Sequence, residues 1–500
     1  MIKKISILFV IGLTFFSLIN VGLAEAKKEK LVIGLVSEPT TLDPHKQWNP
    51  SSYYVYRNIF DNMVTRNANG KIIPQVATSW KYVNDKVINF TIRTDIKFHD
   101  GSMLTADDVV FSVKRITDPK FKSPQAGQFN TIVEAKKINK NTVQLTTKKP
   151  YPVLLAQLVK LSIVPQAYVE KVGNDGLNKL PIGSGPYKFV SWKKGISVAL
   201  KANYNYWGGQ PPFPKVDFLA IPEKSTRVAT LQTKKTDLIV SLDSDIVMQL
   251  SNQSNVKVLS AATERVAYFR INTLAGPTSD VRVRKAIAHA IDRDLLVNAL
   301  KGGYSQKVNV MVADKSFGYD PSFNSYDFNP SKAKALVKEA GLGNAQIDLY
   351  TAPAVFDQRV VQAIQQMLKN VGINAKIVAM DMSTFLKRMQ GSATEKDMTS
   401  FGRWSCACQD ADGILYTMLH SSSIWSNIKN AELDKQLDNA RSSLDAEERM
   451  KYYNAAHQII QDELPLLPLY QVGIIYAAAK KLNWRPTANE SMFIMDMSWK

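Results

Sequence analysis

The run Val87-Ile88-Asn89-Phe90-Thr91-Ile92-Arg93, followed by Phe98-His99-Asp100-Gly101-Ser102-Met103-Leu104-Thr105-Ala106-Asp107-Asp108-Val109, sets the fold class. Its first part is rich in β-branched and aromatic residues and partly alternates, which predicts a strand. His99-Asp100-Gly101 reads as a turn. Thr105 with Asp108 three positions on forms a weak capping box, and Val109, Val110 and Val113 supply the apolar face of the helix it starts. The same grammar recurs on both sides. Leu31 to Val36 is a short apolar strand bounded by Ser37, Pro39 and Pro44. Asp280 caps a helix whose apolar positions Val283, Ala286, Ile287, Ala290 and Ile291 follow three-four spacing, and Asn329-Pro330 opens another that stops at Gly341. Residues 357–371 place Val360, Val361, Ile364, Met367, Leu368 and Val371 on one face before Gly372, and 373–378 reads as a strand. Interleaved helices and strands make the class mixed α/β.

Composition sets the scale. Five hundred residues, 45% hydrophobic and 21% charged, are enough for about three ordinary domains and a large buried core. Glycine (24) and proline (22) are too few for a collagen-like or low-complexity chain. The net charge of +19 raises nucleic acid, an anionic membrane or an acidic ligand as partner. Basic residues are scattered, however, and the tightest clusters are Lys27, Lys28 and Lys30, then Lys136 and Lys137. The expectation is a solvated basic surface and no nucleic-acid partner.

The first 26 residues indicate where the protein works. Lys3 and Lys4 precede an apolar stretch from Ile5 to Ile19, and Ala24-Glu25-Ala26 is an A-x-A cleavage signature, so residues 1–26 read as a secretory signal peptide. Cleavage removes Lys3, Lys4 and Glu25, which lowers +19 to +18 on a mature chain of 474 residues. No cysteine lies near the cut, which favours a soluble periplasmic protein over a lipoprotein. No later segment has an apolar run long enough to span a bilayer.

Five stretches in order resemble the large extracytoplasmic solute-binding proteins of bacterial ABC importers, the dipeptide, oligopeptide and nickel-binding family 5. They are Ser37 to Pro44, Phe98 to Val109, Gly183-Ser184-Gly185-Pro186-Tyr187, Val283 to Arg293, and Glu463-Leu464-Pro465-Leu466-Leu467-Pro468-Leu469-Tyr470. The resemblance implies a two-lobed periplasmic-binding-protein clamshell that closes on a peptide or other small solute, works as a monomer, and presents the solute to ABC permease subunits at the inner membrane. It places lobe I at 27–267 with an extra sub-domain at about 70–200, lobe II at 268–474, and a return to lobe I at 475–500. The outward crossing falls near Val266 to Asn272 and the return near Tyr470 to Tyr476.

Phe401 to Gly413 matches the family segment in which a glycine and tryptophan precede an aspartate-rich turn on the cleft face of the second lobe. Trp404 offers a flat surface for stacking, and Arg403 can pair with a carboxylate through two parallel hydrogen bonds. Dipeptide binders carry an aspartate three residues after that tryptophan to hold the peptide's amino group, whereas this chain has Ala407. Asp410 and Asp412 align with the following turn and can take over a cationic contact. The departure makes a simple dipeptide a poorer fit than a modified peptide, an opine-like conjugate or another small polar solute. Arg359, Tyr53, Tyr54, Tyr56 and Asn272 complete the ligand candidates, each with a packing role as the alternative, and Gly183-Ser184-Gly185 is a weak anion cradle.

Cys406 and Cys408, the only cysteines, form either a very small disulfide or a soft-metal pair with Met380, Met382, Met492, Met495 or Met497. A nickel, copper or metal-chelate receptor is therefore the alternative within the family. The five histidines form no zinc-spaced pair, and G-x-S-x-G, H-E-x-x-H and G-x-x-x-x-G-K-[ST] are all absent. The expectation is a receptor without cofactor or catalysis, a secreted hydrolase being the reading from another class.

Overall fold

The two longest strands, Val256–Ile271 and Leu466–Ala479, lie antiparallel in the middle of an 11-stranded sheet. The computed structural model describes residues 29–46, 49–67, 69–342, 346–353, 355–391, 398–406 and 408–500. The signal-peptide reading of residues 1–26 and the departure at Ala407 lie outside the described residues. Beyond Val256–Ile271 the sheet continues through Thr399–Trp404, Gln346–Thr351 and Asn374–Ala379. Beyond Leu466–Ala479 it continues through Leu238–Leu242, Lys30–Leu35, Lys215–Ala220, Ser197–Ala202 and Tyr187–Lys193. Each long strand thus passes from one half of the molecule to the other.

The half built on Thr399–Trp404 has cores fed by the helices that the apolar spacing predicts. Gln358–Lys369 buries Val360, Val361, Ile364, Met367 and Leu368. Val281–Ala290 starts where Asp280 accepts the Arg282 N–H at 2.8 Å, and Pro330–Glu339 where Asn329 accepts that of Lys332 at 3.0 Å. The other half has one core around Lys30–Leu35 and a second that runs from Met63 to Ile163. This second core lies under a four-stranded sheet in the order Ala77–Asn84, Val87–Ile92, Thr142–Thr147, Ile132–Asn139, against which the helix Ala106–Thr117 packs. The Asp108 carboxylate there receives both the N–H and the hydroxyl of Thr105, each at 2.8 Å. The hairpin Tyr187–Lys193 and Ser197–Ala202 extends the large sheet, while the core under the four-stranded sheet runs from Met63 to Ile163.

The quoted motifs turn out to be joints within this half. Asp43, from Ser37 to Pro44, is buried and takes two hydrogen bonds from Arg115, one at 3.0 Å, and His45 Nδ1 lies 3.0 Å from the same guanidinium. Gly183-Ser184-Gly185 is not an anion cradle. A Cβ on Gly183 would stand 2.1 Å from the Ile59 carbonyl oxygen, and one on Gly185 would stand 2.7 Å from the Ile59 carbonyl carbon. The glycines let two backbones touch, while the Ser184 hydroxyl donates to Asp61 at 3.0 Å. His99 links the two motifs, with Nε2 3.0 Å from the Gly185 carbonyl and Nδ1 accepting the Gly183 N–H at 3.3 Å.

Burial lowers the pKa of both His45 and His99 from 6.5 to about 4, with Arg115 adding to the effect at His45. Both are held neutral in the fold, so the unfolded chain binds protons first. Their contribution to stability is complete above about pH 6.5 and is lost as the pH falls through about 4. Urea midpoints measured from pH 7.5 to 4 should fall on the acid side, and His99→Asn should flatten that fall relative to wild type.

Candidate functional site

The antiparallel pairing of the long strands slips between Ala262 and Val266. Through this irregularity the Glu264 N–H donates to the Ala488 carbonyl at 3.1 Å, and Gln471 Nε2 donates to the Thr263 carbonyl at 2.8 Å. Glu264 and Arg265 thereby leave the ladder and line a cavity between the halves. Resumed pairing sets Val266 opposite Trp404 and Ala267 opposite Arg403, which brings the end of Thr399–Trp404 to the same place. Across from it the helix Pro50–Tyr56, capped by Asn49, presents Tyr53 and Tyr56 as a T-shaped pair with ring centroids 5.5 Å apart. Lys160, just after the helix Leu154–Leu158, and Glu490 of the tail close the wall. The enclosed volume is about 320 Å³, and it shares Pro50, Arg265, Arg403 and Glu490 with a larger cleft of about 930 Å³.

The charges here are mostly matched. Arg265 pairs with Glu490 at 2.9 Å. Burial raises the Glu264 carboxyl to about 7 against the pull of Lys160 and Arg66, and burial lowers Lys160 to about 8 against the pull of Glu264. Glu490 is also raised by burial, with Arg265 and Arg403 opposing. Arg403 differs: no hydrogen bond or ion pair holds its side chain among the described residues. Burial and the like charge of Arg265 both lower its pKa, while Glu490 works the other way. An anionic group bound beside it would relieve the repulsion between the two guanidinium groups.

Trp404 lines the cavity, fixed by an Nε1–H bond to the Gly413 carbonyl at 3.2 Å and by edge contact with Trp425. Tyr53 lies on the opposite wall of this cavity. Tyr54 is buried and reaches only the larger cleft, which Arg359 also lines. Arg359 is engaged by Asp357 at 2.9 Å. Burial works against the Asp357 carboxylate, but bonds from Arg359 and Lys301 outweigh it and hold the carboxyl well below its ordinary range.

Three expected ligand residues have other employment. Asp410 is buried and takes Arg449 Nη2 on both oxygens at 2.8 and 2.9 Å, with the Tyr453 hydroxyl at 3.2 Å. Asp412 is buried against Arg441 at 3.0 Å, and burial lifts its carboxyl to about 6 although Arg441 opposes. Asn272 is buried and accepts the Leu274 N–H at 3.0 Å within a turn. Cys406 and Cys408 are joined in a disulfide, so neither is free as a thiolate ligand. Glu264, Arg265, Lys160 and Glu490 were not foreseen. The local signal for the first two is the polar triplet Thr263-Glu264-Arg265 interrupting an apolar strand; the others reach the site from distant segments.

Fold and site together define a two-lobed α/β receptor whose lobes share one sheet and meet over a polar cleft. The profile described as Bacterial extracellular solute-binding proteins, family 5 Middle, matches residues 71–426. The chain is 28% identical over 471 residues to the glutathione-binding protein GsiB of Shigella boydii serotype 4, covering 91% of each. It is 28% identical over 474 residues to heme-binding protein A of Haemophilus influenzae, covering 87% of this chain and 85% of that one. It is similar to the ABC transporter-associated periplasmic binding protein DppA from Helicobacter pylori, solved in complex with the peptide STSA. That likeness has a TM-score of 0.81 and 26% identity over 94% of this chain and 98% of that one. The chain belongs to the bacterial extracellular solute-binding proteins of family 5. Among the described residues no helix is long and apolar enough to cross a membrane.

Lys160 and Glu264 attract one another inside the cleft, so removing one partner leaves the charge of the other less compensated. Lys160→Met alone and Glu264→Gln alone should each cost about 3 kcal/mol, whereas the double variant should recover most of that loss. Urea unfolding of the four proteins measures the coupling, and additive losses would show that the two groups do not interact.

Proposed function

We infer that the chain captures a small peptide-like solute bearing a carboxylate or comparable anionic group, closes its lobes around it, and presents it to the permease. The observation that carries this reading is Arg403, which lines the cavity with no ion-paired or hydrogen-bonded partner for its side chain among the described residues and only the charge of Glu490, already paired with Arg265, set against it. Trp404, Tyr53 and Tyr56 supply flat apolar walls for the uncharged part of the solute. The ligands named for the relatives, glutathione and a short peptide, are peptide-like and carry free carboxylates.

The lobes in this reading are 27–267, with the sub-domain whose core spans Met63 to Ile163, and 268–474, with residues 475–500 returning to the first lobe. Tyr53, Tyr56 and Lys160 then belong to the first lobe and Arg403 and Trp404 to the second, so a solute touching both favours the closed arrangement by its difference in affinity for the two states. The leader at 1–26 directs export, and the receptor works as a soluble periplasmic monomer that performs no chemistry on its ligand.

Mass spectrometry of protein purified from its host, first native and then after release of the bound molecule, should find one solute with an anionic group. Arg403→Gln should weaken its binding about 10- to 100-fold, the range for a charge-assisted hydrogen bond, and should purify without it. A solute lacking any anionic group, or one held equally by the variant, would remove Arg403 from the binding role.

A further inference from the structure

Cys406 and residues 408–412 follow the cleft strand and pack onto the opposite lobe. Cys408 is buried in the core of the first lobe's sub-domain, among residues between Met63 and Ile163, while Cys406 packs against both that core and the core of its own lobe. Arg66, at the end of the strand Val64–Arg66, donates from Nη2 to the Cys408 carbonyl at 2.6 Å and from Nη1 to the Gly70 carbonyl at 2.6 Å. Gly70 closely approaches the Gln409 side chain, and the Tyr151 hydroxyl reaches Asp412 at 3.5 Å. These are contacts between lobes.

On its own lobe the segment is anchored from behind. The Gln409 carbonyl accepts the Phe317 N–H at 2.9 Å, the Phe317 carbonyl accepts the Ala411 N–H at 2.8 Å, and Asp410 is clasped by Arg449. The disulfide itself lies over Gly413, where a Cβ would stand 2.1 Å from Cys406 Sγ and 2.8 Å from Cys408 Sγ. Gly413 is the residue whose carbonyl holds the Trp404 indole. The bridge therefore fixes two things at once: the carbonyl that Arg66 grips across the lobes, and the backbone that orients the cleft tryptophan.

We propose that the Cys406–Cys408 disulfide is the closure latch of this receptor, a pair of positioning residues that presents the Cys408 carbonyl to Arg66 and holds Trp404 in the cleft. The proposal rests on the moving two-lobed reading above. Cutting the bridge frees the Cys408 carbonyl to turn away, and the closed arrangement loses the Arg66 hydrogen bond between the lobes. A phosphine reductant does this cleanly: the S–S bond breaks, both sulfurs become thiols, and the phosphine is oxidised to its oxide with oxygen from water.

The test uses the full-length mature protein with spin labels on p-acetylphenylalanine placed at Val133 and Ile424. Both sites are more than half exposed, on opposite lobes, and the labels spare the cysteines. Electron–electron distance distributions are recorded without added solute. The oxidised protein should show a short-distance population that falls about tenfold on phosphine treatment, in Cys406→Ser with Cys408→Ser, and in Arg66→Gln, where the disulfide is intact. Melting curves run in parallel, because a bridge serving only to stabilise its own lobe would lower the melting temperature and leave the distances unchanged. Two populations whose ratio ignores the disulfide and Arg66 overturn the latch alone. A single distance under every condition removes the moving clamshell, and the latch with it.

Discussion

Every functional feature of this molecule hangs on the pairing of Val256–Ile271 with Leu466–Ala479. Two strands long enough to serve both lobes make the sheet continuous across the cleft, so the lobes are hinged by backbone hydrogen bonds and not merely docked by side chains. The ladder is irregular where the lobes meet, and the residues it releases, Glu264 and Arg265, are cleft residues. A bulge in a hinge strand supplies local freedom to bend and a place to turn side chains off the sheet faces. In the proposed reading, ligand contact and hinge motion meet within these two or three residues.

The electrostatics of the cleft follow from its burial. Desolvation moves Glu264, Lys160 and Glu490 toward their neutral forms, and a nearby opposite charge opposes that shift at each. A cleft of matched pairs gives specificity without a large net field. Against that background Arg403 differs: its side chain is exposed at the cleft and, among the described residues, has no ion-paired or hydrogen-bonded partner. It lies beside Arg265, and in the proposed reading an incoming anion relieves that like-charge repulsion.

Much of the architecture was legible in the sequence because it rests on local rules. Caps at Asp280 and Asn329, the apolar face of Gln358–Lys369 and the strand at Val87–Ile92 needed no distant partner to be recognised. The cleft strand with Arg403 and Trp404 was found through its motif. Asp410 and Asp412 pair with arginines that no local pattern announces, since a polar residue in a site-like motif looks the same whether it faces a ligand or an arginine, and Arg449 and Arg441 arrive from a helix pair some thirty to forty residues later; Asn272 instead accepts a backbone N–H within its own turn. Gly183 and Gly185 misled similarly, since a glycine that admits an anion and one that admits the backbone at Ile59 leave the same letters. Glu264, Lys160 and Glu490 are joined only by the folded topology, which no spacing records.

A receptor of this kind must close when loaded and open when empty, which limits how strong any permanent inter-lobe contact can be. A closure term larger than the binding term would hold the lobes shut and bar entry; one of zero would leave the solute to supply the whole shift. The contact through Arg66 is of intermediate size: two bonds from a guanidinium to neutral carbonyls, only one of which crosses the lobes. Its Nε is buried without an acceptor, which offsets part of the gain. The carbonyl it meets belongs to a segment held both by the disulfide and by the Asp410–Arg449 ion pair. The same segment orients Trp404 through Gly413. A solute stacked on that ring therefore strengthens the surface against which the opposite lobe closes, and the two contributions to the closed state act together where neither alone would be sufficient.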